Sequence, residues 1–175
     1  KATDGAVWRL DPGAARAERI AGGLAFPSGL ARTVETRAAE GAVVVAEAFN
    51  HRLVTLNGAG GGAGPRAVLD RIPGYPGRLS PAAGGGWWLA VFAPRNRLIE
   101  LVLREDRFRA DMVAQVPPRF WIAPALTSGT SFLEPLQRGG VRTMGVRKPW
   151  APARSYGLVA RLDAMRGFQA DRGSG

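Results

Sequence analysis

Apolar residues in this chain come in short runs separated by glycine, proline and aspartate, and within several runs they alternate with polar residues. That spacing predicts strands, since side chains on a strand point alternately to opposite faces. Residues 5–10 and 16–20 read as two strands joined by the turn Asp11-Pro12-Gly13. Residues 24–32, 42–48, 52–56 and 66–69 read as four more, and the glycine-rich stretch 58–64 between two of them reads as a flexible surface loop. Residues 79–81 and 87–93 follow, with Gly84-Gly85-Gly86 as the hairpin between them, and residues 156–163 form a last strand.

The pattern also repeats. His51-Arg52-Leu53-Val54-Thr55-Leu56 reappears 45 residues later as Asn96-Arg97-Leu98-Ile99-Glu100-Leu101, and Ala6-Val7-Trp8-Arg9-Leu10 lies 45 residues earlier. The apolar run 42–46 matches 87–91, and Phe26-Pro27-Ser28-Gly29-Leu30 echoes Tyr75-Pro76-Gly77-Arg78-Leu79 at a spacing of 49. A period of about 40 to 50 residues holding several short strands is the size of one propeller blade, which buries its faces against its neighbours. The expected fold is therefore all-β, a part of a β-propeller with about three blades over residues 1–175, incomplete at both ends. Loops from several blades converge at the channel mouth, where function is expected.

From Asn96 onward Leu98, Leu101, Val102, Phe108 and Met112 fit a period nearer 3.6. A helical segment is predicted within 104–116, ended by Pro117-Pro118, as the start of a helical and irregular insertion over 104–155. Its later part is long and carries Lys148-Pro149-Trp150-Ala151-Pro152, a kind of loop that is often functional. Trp87-Trp88 reads as packing between blades.

With no cysteine, the chain has no disulfide framework, thiolate metal site or cysteine nucleophile. No apolar stretch is long enough to cross a membrane as a helix. The net charge is +10, and 22 of the 24 basic residues are arginine. These are dispersed rather than gathered into a stripe with aromatic stacking groups, so nucleic acid is not the expected partner. The partner expected is a small-molecule substrate.

Few residues can carry chemistry. His51 is the sole histidine, and its place in a turn predicts a turn-stabilising role. A His-rich metal site is excluded, while an oxygen-ligand site for a hard cation stays open. Glu47 ends the apolar strand Val43-Val44-Val45-Ala46, where a charge must be paired or face a channel. It is the candidate catalytic carboxylate, with a salt bridge to a neighbouring arginine as the alternative. Glu134 reads as a loop hydrogen-bond acceptor.

An ordered series of short motifs resembles the strictosidine synthase-like proteins, which are related to the gluconolactonase and senescence-marker-protein lactonases and more distantly to paraoxonases. The series is Phe26-Pro27-Ser28-Gly29-Leu30-Ala31, Val43-Val44-Val45-Ala46-Glu47, Ile72-Pro73-Gly74-Tyr75-Pro76 and Gly85-Gly86-Trp87-Trp88-Leu89-Ala90. The later stretches Phe132-Leu133-Glu134-Pro135-Leu136-Gln137 and Ser155-Tyr156-Gly157-Leu158 are similar to bacterial members. The resemblance implies a six-bladed propeller with its site at the channel mouth. It also implies a calcium or other divalent cation in the metal-dependent members, held by an Asn in the Phe-Pro-x-Gly motif and by the Asp of the Asp-Asn pair that usually follows Pro-Gly-x-Pro. Here the matching positions are Ser28, Gly77 and Arg78. A serine is a weak neutral ligand, glycine offers no side chain, and arginine opposes a cation, so no metal ligands are assigned. Ser28 and Arg78 are instead expected to bind substrate, the guanidinium holding a carboxylate or other anionic group. The expected activity is hydrolysis of an ester or lactone. A non-catalytic binding propeller of the NHL kind, suggested by Phe49-Asn50-His51-Arg52-Leu53-Val54, and an amine-aldehyde condensing enzyme are the alternatives.

Overall fold

Glycine, proline and aspartate stop each apolar run after a few residues, and the runs between them pair into antiparallel sheets. The computed structural model describes residues 3–13, 15–32, 42–56, 64–118, 121–124 and 158–163. Strands β1 (Gly5–Arg9) and β2 (Glu18–Leu24) form a first sheet. Strands β3 (Pro27–Arg32), β4 (Val43–Glu47), β5 (Arg52–Leu56) and β6 (Arg66–Leu69) form a second, paired in chain order. The third sheet contains β7 (Gly74–Pro81), β8 (Trp87–Pro94) and β9 (Leu158–Leu162), with helices α1 (Arg97–Arg104) and α2 (Asp106–Gln115) placed between β8 and β9 in the chain. The described chain is thus mostly antiparallel sheet with few helices, consistent with part of a propeller.

The apolar run of β4 is continuous because both faces of the second sheet are covered. On one side Val44, Ala46 and Leu53 join Ala31, Ile72, Leu79, Trp87, Leu89 and Val91 in a core shared with the third sheet. On the other, Val45, Val54 and Leu56 meet Val7 and Leu24 of the first sheet. Each such fully buried aliphatic side chain stabilises the fold by about 1.5 to 3 kcal/mol. Trp87 is part of the shared core, as expected, whereas Trp88 is exposed and lies beneath the Arg161 guanidinium, 5.9 Å from the ring centroid.

The sheets meet along β3 and β7, the two strands that open with the related Phe-Pro and Tyr-Pro motifs. A β-carbon added to Gly29 would stand 2.1 Å from the Gly77 carbonyl oxygen and 3.0 Å from the Arg78 Cα. Only glycine permits this backbone approach. Gly84, Gly85 and Gly86 all take positive φ in the reversal between β7 and β8, the hairpin read from the sequence.

One repeat does not hold in three dimensions. His51 precedes a strand, β5, but the matching Asn96 begins helix α1. The Asn96 side chain accepts from the amides of Leu98 (2.9 Å) and Ile99 (3.3 Å), capping the helix. Ile99, Val102 and Leu103 then fall on one buried face, a spacing that suits a helix and not a strand. A helix, α2, does lie within 104–116 as read, but a first helix, α1, precedes it from Arg97, and Leu101 and Phe108 are exposed. Helix α2 ends at Gln115, with Val116 extended before Pro117 as the proline requires. Glu134, the 148–152 segment, most of the 58–64 loop and the greater part of the 104–155 insertion lie outside the described residues.

Candidate functional site

Antiparallel pairing in chain order brings the β2–β3, β4–β5 and β6–β7 connections and the start of α1 to one end of the sheets. Among the described residues three other than glycine adopt a left-handed backbone, Phe26 (φ 55°), His51 (φ 53°) and Arg71 (φ 58°), and each lies in one of those three connections. Such strain clusters at ligand-binding and catalytic sites, where the surroundings must hold it. This end is therefore the candidate site.

Glu47, the last residue of β4, is fully buried there. One carboxylate oxygen accepts from the Ala25 amide (2.8 Å) and from Asn50 Nδ2 (3.1 Å), and the other pairs with Arg52 Nε. Three donors neutralise a charge that burial alone would make untenable. The carboxylate ties together the β2–β3 connection, the 3-10 turn Ala48–Asn50 and the start of β5. The salt bridge to a neighbouring arginine, the alternative read from the sequence, is present.

Ser28 spends its hydroxyl on main chain. It donates to the Pro76 carbonyl of β7 (2.6 Å), with the Ala46 carbonyl of β4 at 3.3 Å, and so fastens the two sheets together beside the Gly29–Gly77 approach. Arg78 is exposed on β7, level with Gly29. A hydroxyl already donated to a carbonyl, a glycine and a guanidinium do not make a donor set for a divalent cation. Among the described residues no three His, Asp or Glu side chains gather as a metal-binding group.

His51 belongs to a second buried cluster that the sequence did not reveal as a whole. Its ring is 2% exposed, with Nδ1 2.7 Å from the Gly74 carbonyl and Nε2 2.7 Å from Glu100 Oε1. A carbonyl only accepts, so Nδ1 carries a hydrogen and donates it, leaving Nε2 to share a proton with the carboxylate. The Tyr75 hydroxyl donates to the same Glu100 oxygen (3.0 Å), and Arg95 Nη2 lies 3.7 Å from the other. Burial, and after it the Glu100 charge, push the Tyr75 phenol well above its ordinary range. The side chain of His51 makes no bond within its own turn, the role expected of it; it ties the turn to β7 and to α1, a link that the repeat had concealed. The signal available was Glu100 itself, a lone acid in the apolar run Leu98-Ile99-Glu100-Leu101-Val102-Leu103.

Aromatic rings line this end. Phe26 stacks on Phe49 with centroids 4.8 Å apart and planes 16° apart, Phe49 meets Tyr75 edge-on at 6.5 Å, and Tyr75 stacks with Phe92 at 5.9 Å. Tyr75 is wholly buried beneath α1, in a cluster with Ala48, Ala93, Ile99 and Leu103, while Phe26 is 47% exposed.

No family model matches the chain. Over 109 residues, 62% of the chain, it is 27% identical to Protein STRICTOSIDINE SYNTHASE-LIKE 10 of Arabidopsis thaliana. The alignment spans 28% of that protein. This likeness supports the strictosidine synthase-like family at most, and it suggests a member of a propeller family.

Proposed function

We propose that this chain forms about three blades of a six-bladed strictosidine synthase-like propeller, with residues 104–155 inserted in one of them, and one wall of a site that hydrolyses an ester or lactone of a small organic molecule. The observation that carries the reading is the position of Arg78. It is exposed on a strand pressed backbone to backbone against β3, so its surroundings are rigid, and it lies level with Gly29, three residues from Phe26. At about 3.3 Å per residue, the main chain of Phe26 and that of Arg78 are offset along the strand by about 10 Å, a span that a small molecule bridges. Arg78 holds the anionic group of the substrate or the oxyanion that forms on attack by water. Glu47 acts as an orienting carboxylate: three protein donors occupy it, and it fixes the backbone on which the site is built. Ser28 serves the site by locking β3 to β7. The base that activates water belongs to residues other than these.

A non-catalytic binding propeller is the second reading. It is favoured by the same saturation of Glu47, and of His51, by protein partners. Hydrolysis of a panel of lactones and aryl esters by the intact protein, with and without a chelator, separates the two. Turnover supports the enzyme, and its sensitivity to chelator reports on a cation held by residues other than 28, 77 and 78. No turnover in either condition supports the binder.

A further inference from the structure

The rim of this sheet end gathers positive charge that the described residues do not neutralise. Arg71, in the β6–β7 connection, and Arg95, between β8 and α1, are neighbours because the Arg95 amide donates to the Pro73 carbonyl (3.1 Å). Arg71 is exposed on a left-handed backbone, which disfavours a large side chain, and the Ile72 amide fixes the turn by donating to the His51 carbonyl (2.9 Å). Among the described residues its guanidinium pairs with no acid, not even the adjacent exposed Asp70.

Arg95 has an acidic neighbour that does not cancel it. Its Nη2 lies 3.7 Å from Glu100 Oε2, while Glu100 Oε1 faces His51 Nε2 at 2.7 Å. His51 Nδ1 already donates to the Gly74 carbonyl, so one proton lies between Nε2 and Oε1, and the histidine and glutamate together carry no net charge. The Arg95 cation is left over, anchored at one nitrogen on a buried carboxylate and 45% exposed. The repeat adds a third cation: Arg52 has Glu47 five residues before it, but Phe92 stands at that place before Arg97. Arg97 is exposed in the first turn of α1, where the helix dipole opposes a cation. Like charges held together repel, and an anion relieves that repulsion.

We propose that Arg71 and Arg95 form a carboxylate-binding subsite at this rim, with Glu100 positioning Arg95, so that the substrates of the site are esters or lactones that bear a free carboxylate. Guanidinium forks match a carboxylate's two oxygens. Arg78, further along β7, is left to a second anionic group or to the oxyanion formed on attack. The assignment rests on reading the sheet end as a small-molecule site, but its test needs no turnover.

The test is an NMR titration, at low ionic strength, of the intact protein with glutarate and with its neutral counterpart glutaramide. Glutarate is expected to bind at least tenfold more tightly. Arg71→Asn, which tolerates the left-handed backbone, and Arg95→Gln should each weaken glutarate about tenfold and leave glutaramide unchanged. Arg66→Gln, at the opposite end of the sheets, controls for attraction by the net charge of +10 and should change nothing. Glu100→Gln should weaken glutarate in the wild type but add nothing to Arg95→Gln, a dependence that mere loss of stability would not produce. Equal binding of the two ligands, no binding of glutarate, or an Arg66→Gln loss as large as the other two would overturn the subsite; a Glu100→Gln effect that persists without Arg95 would overturn the positioning role. Glutarate binding at these arginines without ester turnover would leave the subsite standing and remove the hydrolase; turnover without glutarate binding would do the reverse.

Discussion

Replacing His51 with asparagine isolates the buried cluster that joins α1 to the sheet end. Asparagine accepts the left-handed backbone observed at this position (φ 53°), so the turn survives and only the ring is lost. Two hydrogen bonds go with it, one to the Gly74 carbonyl and one to Glu100, both 2.7 Å long. The first is a neutral bond worth about 1 kcal/mol, and the second, to a carboxylate, about 1.5 to 3 kcal/mol. Packing of the imidazole on Tyr75, at 4.9 Å between centroids, is also lost. Tyr75 and Arg95 still face Glu100, which keeps the loss below that of a fully orphaned buried charge. The expected destabilisation is about 3 to 4 kcal/mol in urea unfolding, with faster amide exchange in α1. Glu100→Gln alone and the double variant complete a cycle, in which a coupling of about 2 kcal/mol is expected between His51 and Glu100. Additive single effects, or an α1 whose exchange is unaltered, would refute the assignment of this pair as the link.

Two further outcomes follow from the same geometry. Because the folded state raises the Tyr75 phenol above the unfolded value of about 10, its contribution is fully present below pH 10 and is lost as pH rises further, by up to about 1.4 kcal/mol per unit. Urea midpoints between pH 9 and 11 should therefore fall more steeply for the wild type than for Tyr75→Phe, and parallel slopes would contradict this. Gly29→Ala places a methyl 2.1 Å from the Gly77 carbonyl oxygen, so β3 and β7 must separate; a loss of about 2 to 3 kcal/mol in thermal or urea unfolding is expected, and a neutral change would show that the strands do not pack this closely.

Strands were legible wherever alternation or a bounded apolar run carried the information. The edges of β6 (Arg66–Leu69) and β5 (Arg52–Leu56) coincide with the apolar pattern, because a glycine-rich stretch and the turn at His51 leave those runs no room to extend. The failure at Asn96 is equally instructive. Residues 96–101 match the strand-forming 51–56 in sequence, and only Val102 and Leu103 beyond them complete the helical face. Of the candidate site, the pairing of Glu47 with an arginine was foreseeable from a charge at the end of an apolar strand. The attachment of Ser28 to Pro76 was not, since it depends on how closely two sheets approach, 48 residues apart in the chain. The exposure of Phe26 was hidden for the same reason: Phe26 and Tyr75 occupy matching motif positions, and they are distinguished by the left-handed backbone of Phe26 and by the cover that α1 gives Tyr75.

The role of Arg78 is the most direct point at which the account can fail. In steady-state kinetics of Arg78→Ala with anionic esters, KM should rise about tenfold or more, the worth of a charge-assisted contact, with unfolding midpoints unchanged because the side chain is exposed. A KM equal to that of the wild type for anionic and neutral esters alike would contradict the placement of the substrate at this end of the sheets.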